Sequence, residues 1–373
     1  MRRKMLLKIF RYIKFVDGTK RIEPIDNLAI IAMKTIRSRF SHLFMITIIC
    51  LIGGCEVQVM DFYNTPRGNF EALWTIMDQH YCFFSYKKID WDSVYQAYSP
   101  RITNTMSSES LFKLLGEMLE ELKDGHVNLI ASHDMSRYWK WQEDFPANFD
   151  LTIQEEYLGT DYLIASGMKY KILEDNIGYV YYGSFSNDVS DSGLSYILSR
   201  MAICKGIIID VRDNGGGSLV NVERIASRFF NEKTLIGYIS HKIGPGHDDF
   251  SPLKPKYIDS YKGIRYQKPV VVLTNRGCYS ATNEFVSIMK YAPNVTIVGD
   301  KTGGGSGLPF SSELPNGWSV RFSACPMFNA EKEHIESGVD PDVKVMMLPA
   351  DSEKKIDTII ERAKTIINNK SRE

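Results

Sequence analysis

Three stretches of this chain, residues 206–211, 268–274 and 295–298, are near-continuous apolar runs, and each is separated from the next by a helical pattern. A strand with one wet face alternates polar and apolar residues, so runs without alternation belong to parallel strands covered on both faces. Two further strands, residues 170–173 and 177–182, precede them. Helices are expected where apolar residues recur at helical spacing, first at Leu219, Val222, Ile225, Ala226 and Phe229 and then at Phe285, Ile288 and Met289. A last amphipathic helix uses Ile356, Ile359, Ile360, Ala363, Ile366 and Ile367. The expected class is α/β, a parallel-rich sheet covered by helices.

Ahead of the sheet lies a small helical domain, residues 69–126. Phe70, Leu73, Trp74 and Met77 form one stripe. Leu111, Leu114, Leu115, Met118, Leu119 and Leu122 form another, with Ser107 and Ser108 to cap it and Gly125 to stop it. Residues 127–166 read as strands and loops and are too few for another ordinary domain. The core is expected over residues 167–350 and a terminal helix over 351–373.

The 373 residues suffice for two modest domains or one large core with an accessory element. The 45 basic and 45 acidic residues balance with no basic stripe, which argues against a nucleic-acid partner. Only the N-terminus departs from a soluble composition. Met33-Lys-Thr-Ile-Arg-Ser-Arg39 is basic, residues 43–52 are apolar, and Ile52-Gly-Gly-Cys55 closes the run. This resembles the signal of bacterial lipoproteins, and the run is too short for a good membrane-spanning helix. Residues 33–54 are therefore expected to be cleaved, with Cys55 the lipidated first residue and 55–68 a tether at the cell envelope. An uncleaved anchor is the alternative, and residues 1–32 are expected to be an over-extended start. The remaining cysteines, Cys82, Cys204, Cys278 and Cys325, show no metal-ligand spacing and read as four separate buried thiols.

Two of the apolar runs break into turns that can carry chemistry. Asn214-Gly-Gly-Gly217 follows one strand and opens a helix, where successive glycines let backbone amides face an anion. Neither a Walker loop nor a dinucleotide fingerprint is present there or in Thr302-Gly-Gly-Gly-Ser-Gly307, which leads into a strand-like stretch. After the second strand, Ser280 stands at a helix start, where the amide of Ala281 and the helix N-terminus would stabilise a developing negative charge. Taken alone, Ser280 reads first as a helix cap, the commonest role of a serine at such a place. His126, just past a helix end, could serve as its base, or could be an ordinary capping histidine.

In combination these segments resemble one family. Asp124-Gly-His126, Asp210-Val-Arg-Asp-Asn-Gly-Gly-Gly217, Ser280-Ala-Thr-Asn-Glu284, Gly299-Asp-Lys-Thr-Gly-Gly-Gly305 and Glu336-Ser-Gly-Val-Asp-Pro-Asp342 follow the order of the S41 serine peptidases. That family includes the tail-specific proteases and the tricorn core, and its ClpP/crotonase-like core fits the expected class. The resemblance implies Ser280 as nucleophile, His126 as base and Glu336 as the group that orients and stabilises it. It also implies an oxyanion hole from Ala281 and either Gly216 or Gly215. The tail-specific branch uses a lysine base, for which Lys301 is the nearest candidate. The tricorn-like branch carries a serine just before its histidine, and here that position is Gly125. Residues 127–166 are too few for the PDZ domain of the tail-specific branch.

The implied function is hydrolysis of extended polypeptides through an acyl-enzyme, with no cofactor. The alternatives are a Ser/Lys peptidase and a non-catalytic binding protein on the same fold. A histidine base predicts activity that falls in mild acid, and a flat profile there would point to Lys301.

Overall fold

The computed structural model describes residues 62–371. The signal segment and Cys55 lie outside the described residues. The apolar runs form the centre of a seven-stranded sheet. From one edge its strands are Val343–Lys344, Val295–Gly299, Val270–Thr274, Ile207–Asp210, Gly178–Tyr181, Met168–Ile172 and Leu163–Ala165. The first five are parallel to their neighbours, and the last two join by antiparallel pairing.

Alternate residues of each central strand enter different cores, which is why the strands show no polar alternation. Ile207, Ile209, Val270, Val272 and Ile297 pack against helices Asp191–Met201, Leu219–Ala226 and Ala281–Met289. Ile208, Val271, Leu273 and Val298 pack against Leu151–Leu158 and Thr358–Lys370. Helix Leu151–Leu158 lies where strands and loops were expected. Asp150 caps it, but its apolar pattern is too weak to announce it.

The N-terminal helices Pro66–His80, Trp91–Tyr98 and Ser108–Glu120 do not bury a core of their own. They share one with Leu314, Trp318, Val320 and Phe322 of the hairpin Leu308–Glu313/Ser319–Cys325. Ser107 caps the third helix by accepting from the Ser110 amide. The backbone reversal after it falls on Lys123 (φ 47°), two residues before the expected Gly125. Strand Asn128–Ile130 then pairs antiparallel with Ser319–Cys325 in a three-stranded sheet separate from the seven-stranded one, which fixes the course of the chain just after His126. Cys82, Cys204, Cys278 and Cys325 are each buried and unbridged.

Candidate active site

Strand Val270–Thr274 ends in a turn that leads to Ser280, whose backbone sits at φ 58°, ψ −120°. A non-glycine residue there costs about 1–3 kcal/mol and persists only when its surroundings hold it. The Ser280 amide donates to the Gly304 carbonyl at 2.9 Å. Ser280 precedes helix Ala281–Met289, yet its hydroxyl makes no capping hydrogen bond. Instead Oγ lies 2.9 Å from Nε2 of His126.

The glycine turn is tied to this serine through Asn214. Its amide nitrogen donates to the Tyr182 carbonyl (2.8 Å), and its Oδ1 accepts from the Gly216 amide (3.0 Å) and the Thr282 hydroxyl (2.7 Å). Gly216 has φ 104°, and a Cβ on it would fall 2.9 Å from both the Ala281 nitrogen and the Ser280 Cβ. Only glycine fits this approach. Of the two glycines proposed from sequence, Gly216 thus has its amide committed to Asn214. The amides of Gly215 and Ala281 have no acceptor among the described residues, and a Cβ on Gly215 would meet open space.

His126 is 3% exposed. Its amide donates to Asp124 Oδ1 at 2.8 Å. Asp124 is itself buried and also accepts from the hydroxyls of Tyr81 (3.0 Å) and Ser323 (2.9 Å). Burial lowers the imidazole pKa to about 4; Arg321 and Lys87 push in the same direction, and the Asp124 carboxylate opposes them. Position 125 has no room for a serine. A Cβ there would lie 2.6 Å from the Trp141 indole nitrogen and 2.9 Å from the Tyr279 hydroxyl, two rings that stack at 4.1 Å.

Glu336 departs from the sequence-based expectation. It does not reach His126, whose Nδ1 is buried without a hydrogen-bond partner among the described residues. Its Oε2 accepts from the Ser306 amide (2.8 Å), and its Oε1 pairs with the Lys87 ammonium (2.9 Å). Burial pushes its carboxyl up to about 7; Lys87 draws it down and Asp124 adds to the rise. Lys87, on the short helix Phe84–Lys87, also lies 3.6 Å from Asp124. One ammonium therefore joins the base's loop to the Glu336 loop. Nothing in the sequence relates residue 87 to residue 336. Replacing Lys87 with methionine should lower kcat on the order of 10- to 100-fold with KM little changed, because the base loses its alignment. Steady-state kinetics on one substrate checks this.

Lys301 does not reach the serine either. Its ammonium pairs with Asp340 at 3.3 Å on the surface, and the cleft holding Ser280 is lined without it. The glycine run 303–305 is a buttress for the nucleophile turn. Gly304 (φ 87°) bonds Ser280, a Cβ on it would overlap the Glu336 carbonyl at 1.8 Å, and the Gly305 amide donates to that carbonyl at 3.1 Å. The cleft over Ser280 has a volume of about 1010 Å³, and its walls include Ile130, Met135, Trp139 and Phe145. All four are exposed.

A model of peptidase family S41 matches residues 176–345, and one of the tricorn protease C1 domain matches residues 62–120. The crystal structure of a presumed peptidase from Parabacteroides merdae ATCC 43184 is 57% identical, covers 82% of this chain and 97% of its own, and superposes with a TM-score of 0.79. The carboxy-terminal processing protease CtpA of Bacillus subtilis is 26% identical over 199 residues, 53% of this chain and 40% of that protein. The chain thus spans less than half the length of that curated relative. Mature CPAF, at 13% identity, covers 82% of this chain and 98% of its own with a TM-score of 0.63, a likeness of fold.

Proposed function

Because the chain belongs to peptidase family S41, we propose that it is a serine endopeptidase that hydrolyses extended polypeptides through an acyl-enzyme on Ser280. The observation that carries this reading is the 2.9 Å contact between Ser280 Oγ and His126 Nε2, made by a serine held in a strained backbone at an open cleft. His126 takes the hydroxyl proton as Oγ attacks the peptide carbonyl, then returns it to the leaving amine. Water repeats the cycle on the acyl-enzyme. The amides of Ala281 and Gly215 receive the oxyanion. Asp124 takes the part expected of Glu336, since its charge favours the imidazolium while its bond to the His126 amide fixes the loop. Glu336 acts at one remove, through Lys87. The Ser/Lys alternative draws no support from the position of Lys301.

The pH expectation changes accordingly. The base must be neutral to act, and burial holds it neutral down to about pH 4. We therefore expect kcat/KM to stay level from neutral pH through mild acid and to fall only as the pH approaches 4. A flat profile in mild acid is thus the signature of this buried histidine and no argument for lysine. An acid limb near the ordinary histidine value that persists in Glu336→Gln would instead mean a solvated base, the Glu336 carboxyl being itself pushed up to about 7.

We further propose that the enzyme is exported and tethered at the cell envelope through a lipid on Cys55. The basic, apolar and small-residue succession over residues 33–55 supports this. No helix among the described residues is long and apolar enough to cross a membrane. Expressed from Met33, the chain should fractionate with membranes, and its Cys55→Ala form should not.

A further inference from the structure

Three arginines line the cleft above Ser280: Arg137, Arg276 and Arg321. Two of them are engaged by the protein. Arg276 donates to the Trp141 carbonyl through Nε (3.1 Å) and Nη2 (2.6 Å) and to the Thr302 carbonyl through Nη1 (2.8 Å). Its guanidinium also lies 4.0 Å from the Phe145 ring centre. Arg137 donates to the Met135 carbonyl at 3.1 Å and lies 3.8 Å from Asp134.

Arg321 differs from both. It is half-buried, and its guanidinium has neither a hydrogen bond nor an ion pair with any of the described residues. Strand pairing fixes its place. It lies directly opposite Asn128, two residues beyond the base. It also occupies the same strand face as Ser323, whose hydroxyl holds Asp124. Its charge is felt at His126. A guanidinium has five donors in a planar fork and no acceptor capacity, so one that faces the cleft with no acceptor from the protein keeps its whole fork available to a ligand there. The fork matches a carboxylate in bidentate geometry.

We propose that Arg321 is a specificity residue that receives a carboxylate of the polypeptide substrate close to the bond being cleaved. The inference deepens the peptidase reading and rests on it for the word substrate. The exposed Ile130, Met135 and Trp139 on the same wall give an apolar neighbour to the acidic group a place to pack. Two sources offer the same chemistry, an aspartate or glutamate side chain within the peptide and a free C-terminal carboxylate.

The test uses fluorescein-labelled Ala/Ser peptides in matched pairs, Glu against Gln at each position in turn, and free acid against C-terminal amide. Binding is read by anisotropy on the Ser280→Ala protein, alone and combined with Arg321→Gln or Arg321→Lys. Hydrolysis of the same peptides is read on the wild type. The acidic member of one pair should bind about 10- to 100-fold tighter, the range for a charge-assisted hydrogen bond. That ratio should fall to near unity with Arg321→Gln and be partly restored with Arg321→Lys. Dependence on the Glu/Gln pair assigns the site to an internal acidic residue, and dependence on the acid/amide pair assigns it to a chain end. Equal binding of every pair, or a preference that survives Arg321→Gln, overturns the proposal. Arg321-dependent binding without hydrolysis of any peptide by the wild type sustains the carboxylate site while refuting the peptidase reading.

Discussion

Replacing Ser280 with alanine is expected to lower kcat on an unstructured protein by about 10⁴- to 10⁶-fold, the range for loss of a nucleophile whose partners act as a unit. The same loss is expected for His126→Ala, and the double variant should be no worse than either single one. Ser280 Oγ and His126 Nε2 share one proton at 2.9 Å, so removing either atom abolishes the same transfer. What remains comes from the amides of Gly215 and Ala281, which neither substitution removes. Casein hydrolysis by wild type, singles and double checks this. Losses that multiply in the double variant would mean the two residues serve different steps. Thermal unfolding of Ser280→Ala should match the wild type, since only a hydroxyl is removed.

Arg212→Met is expected to destabilise the fold by about 3–5 kcal/mol, the usual penalty for taking one partner from a buried ion pair. The guanidinium is fully buried just ahead of the glycine turn. It bonds Asp210 Oδ1 through Nε (2.9 Å) and Oδ2 through Nη2 (2.6 Å), and its Nη1 lies 2.9 Å from Asp357 Oδ2. Asp357 in turn caps helix Thr358–Lys370 by accepting from the amides of Ile359 and Ile360. One cation therefore pins the terminal helix to the strand that delivers the oxyanion turn. Removing it leaves two carboxylates in a site with no counter-charge, a large fraction of the about 5–15 kcal/mol that holds a typical protein folded. Urea unfolding of the variant gives the number, and combining it with Asp357→Asn should recover part of the loss, because asparagine can still cap. A loss below about 1 kcal/mol would show that water reaches this site.

The sheet was legible because its central strands are buried on both faces, so their apolar runs carry the signal without knowledge of their neighbours. Strands that were not read, such as Thr234–Ile239 and Lys254–Ile258, have mixed exposure and blend into loop composition. The N-terminal helices were legible by their stripes, but their partners were not. Trp318, Val320 and Phe322 complete that core from a hairpin roughly 200 residues away in sequence.

Within the site, Ser280 and His126 stood in recognisable motifs, and the fold brings them into contact. The choice between Gly215 and Gly216 depended on where the Asn214 side chain points, which spacing cannot tell. Glu336 was located by its motif but not by its partner, because Lys87 lies in a four-residue helix with no signature of its own. The pH behaviour of His126 was equally out of reach, since its shift comes from burial by segments distant in sequence.

The most direct measurement is intact mass and peptide mapping after exposure to a fluorophosphonate, a reagent that phosphonylates only a serine activated by its base. The account predicts one adduct per chain, mapped to Ser280, absent in Ser280→Ala and strongly slowed in His126→Ala and in the wild type below pH 4. No adduct on folded wild-type protein, or an adduct that persists undiminished in His126→Ala, would contradict it.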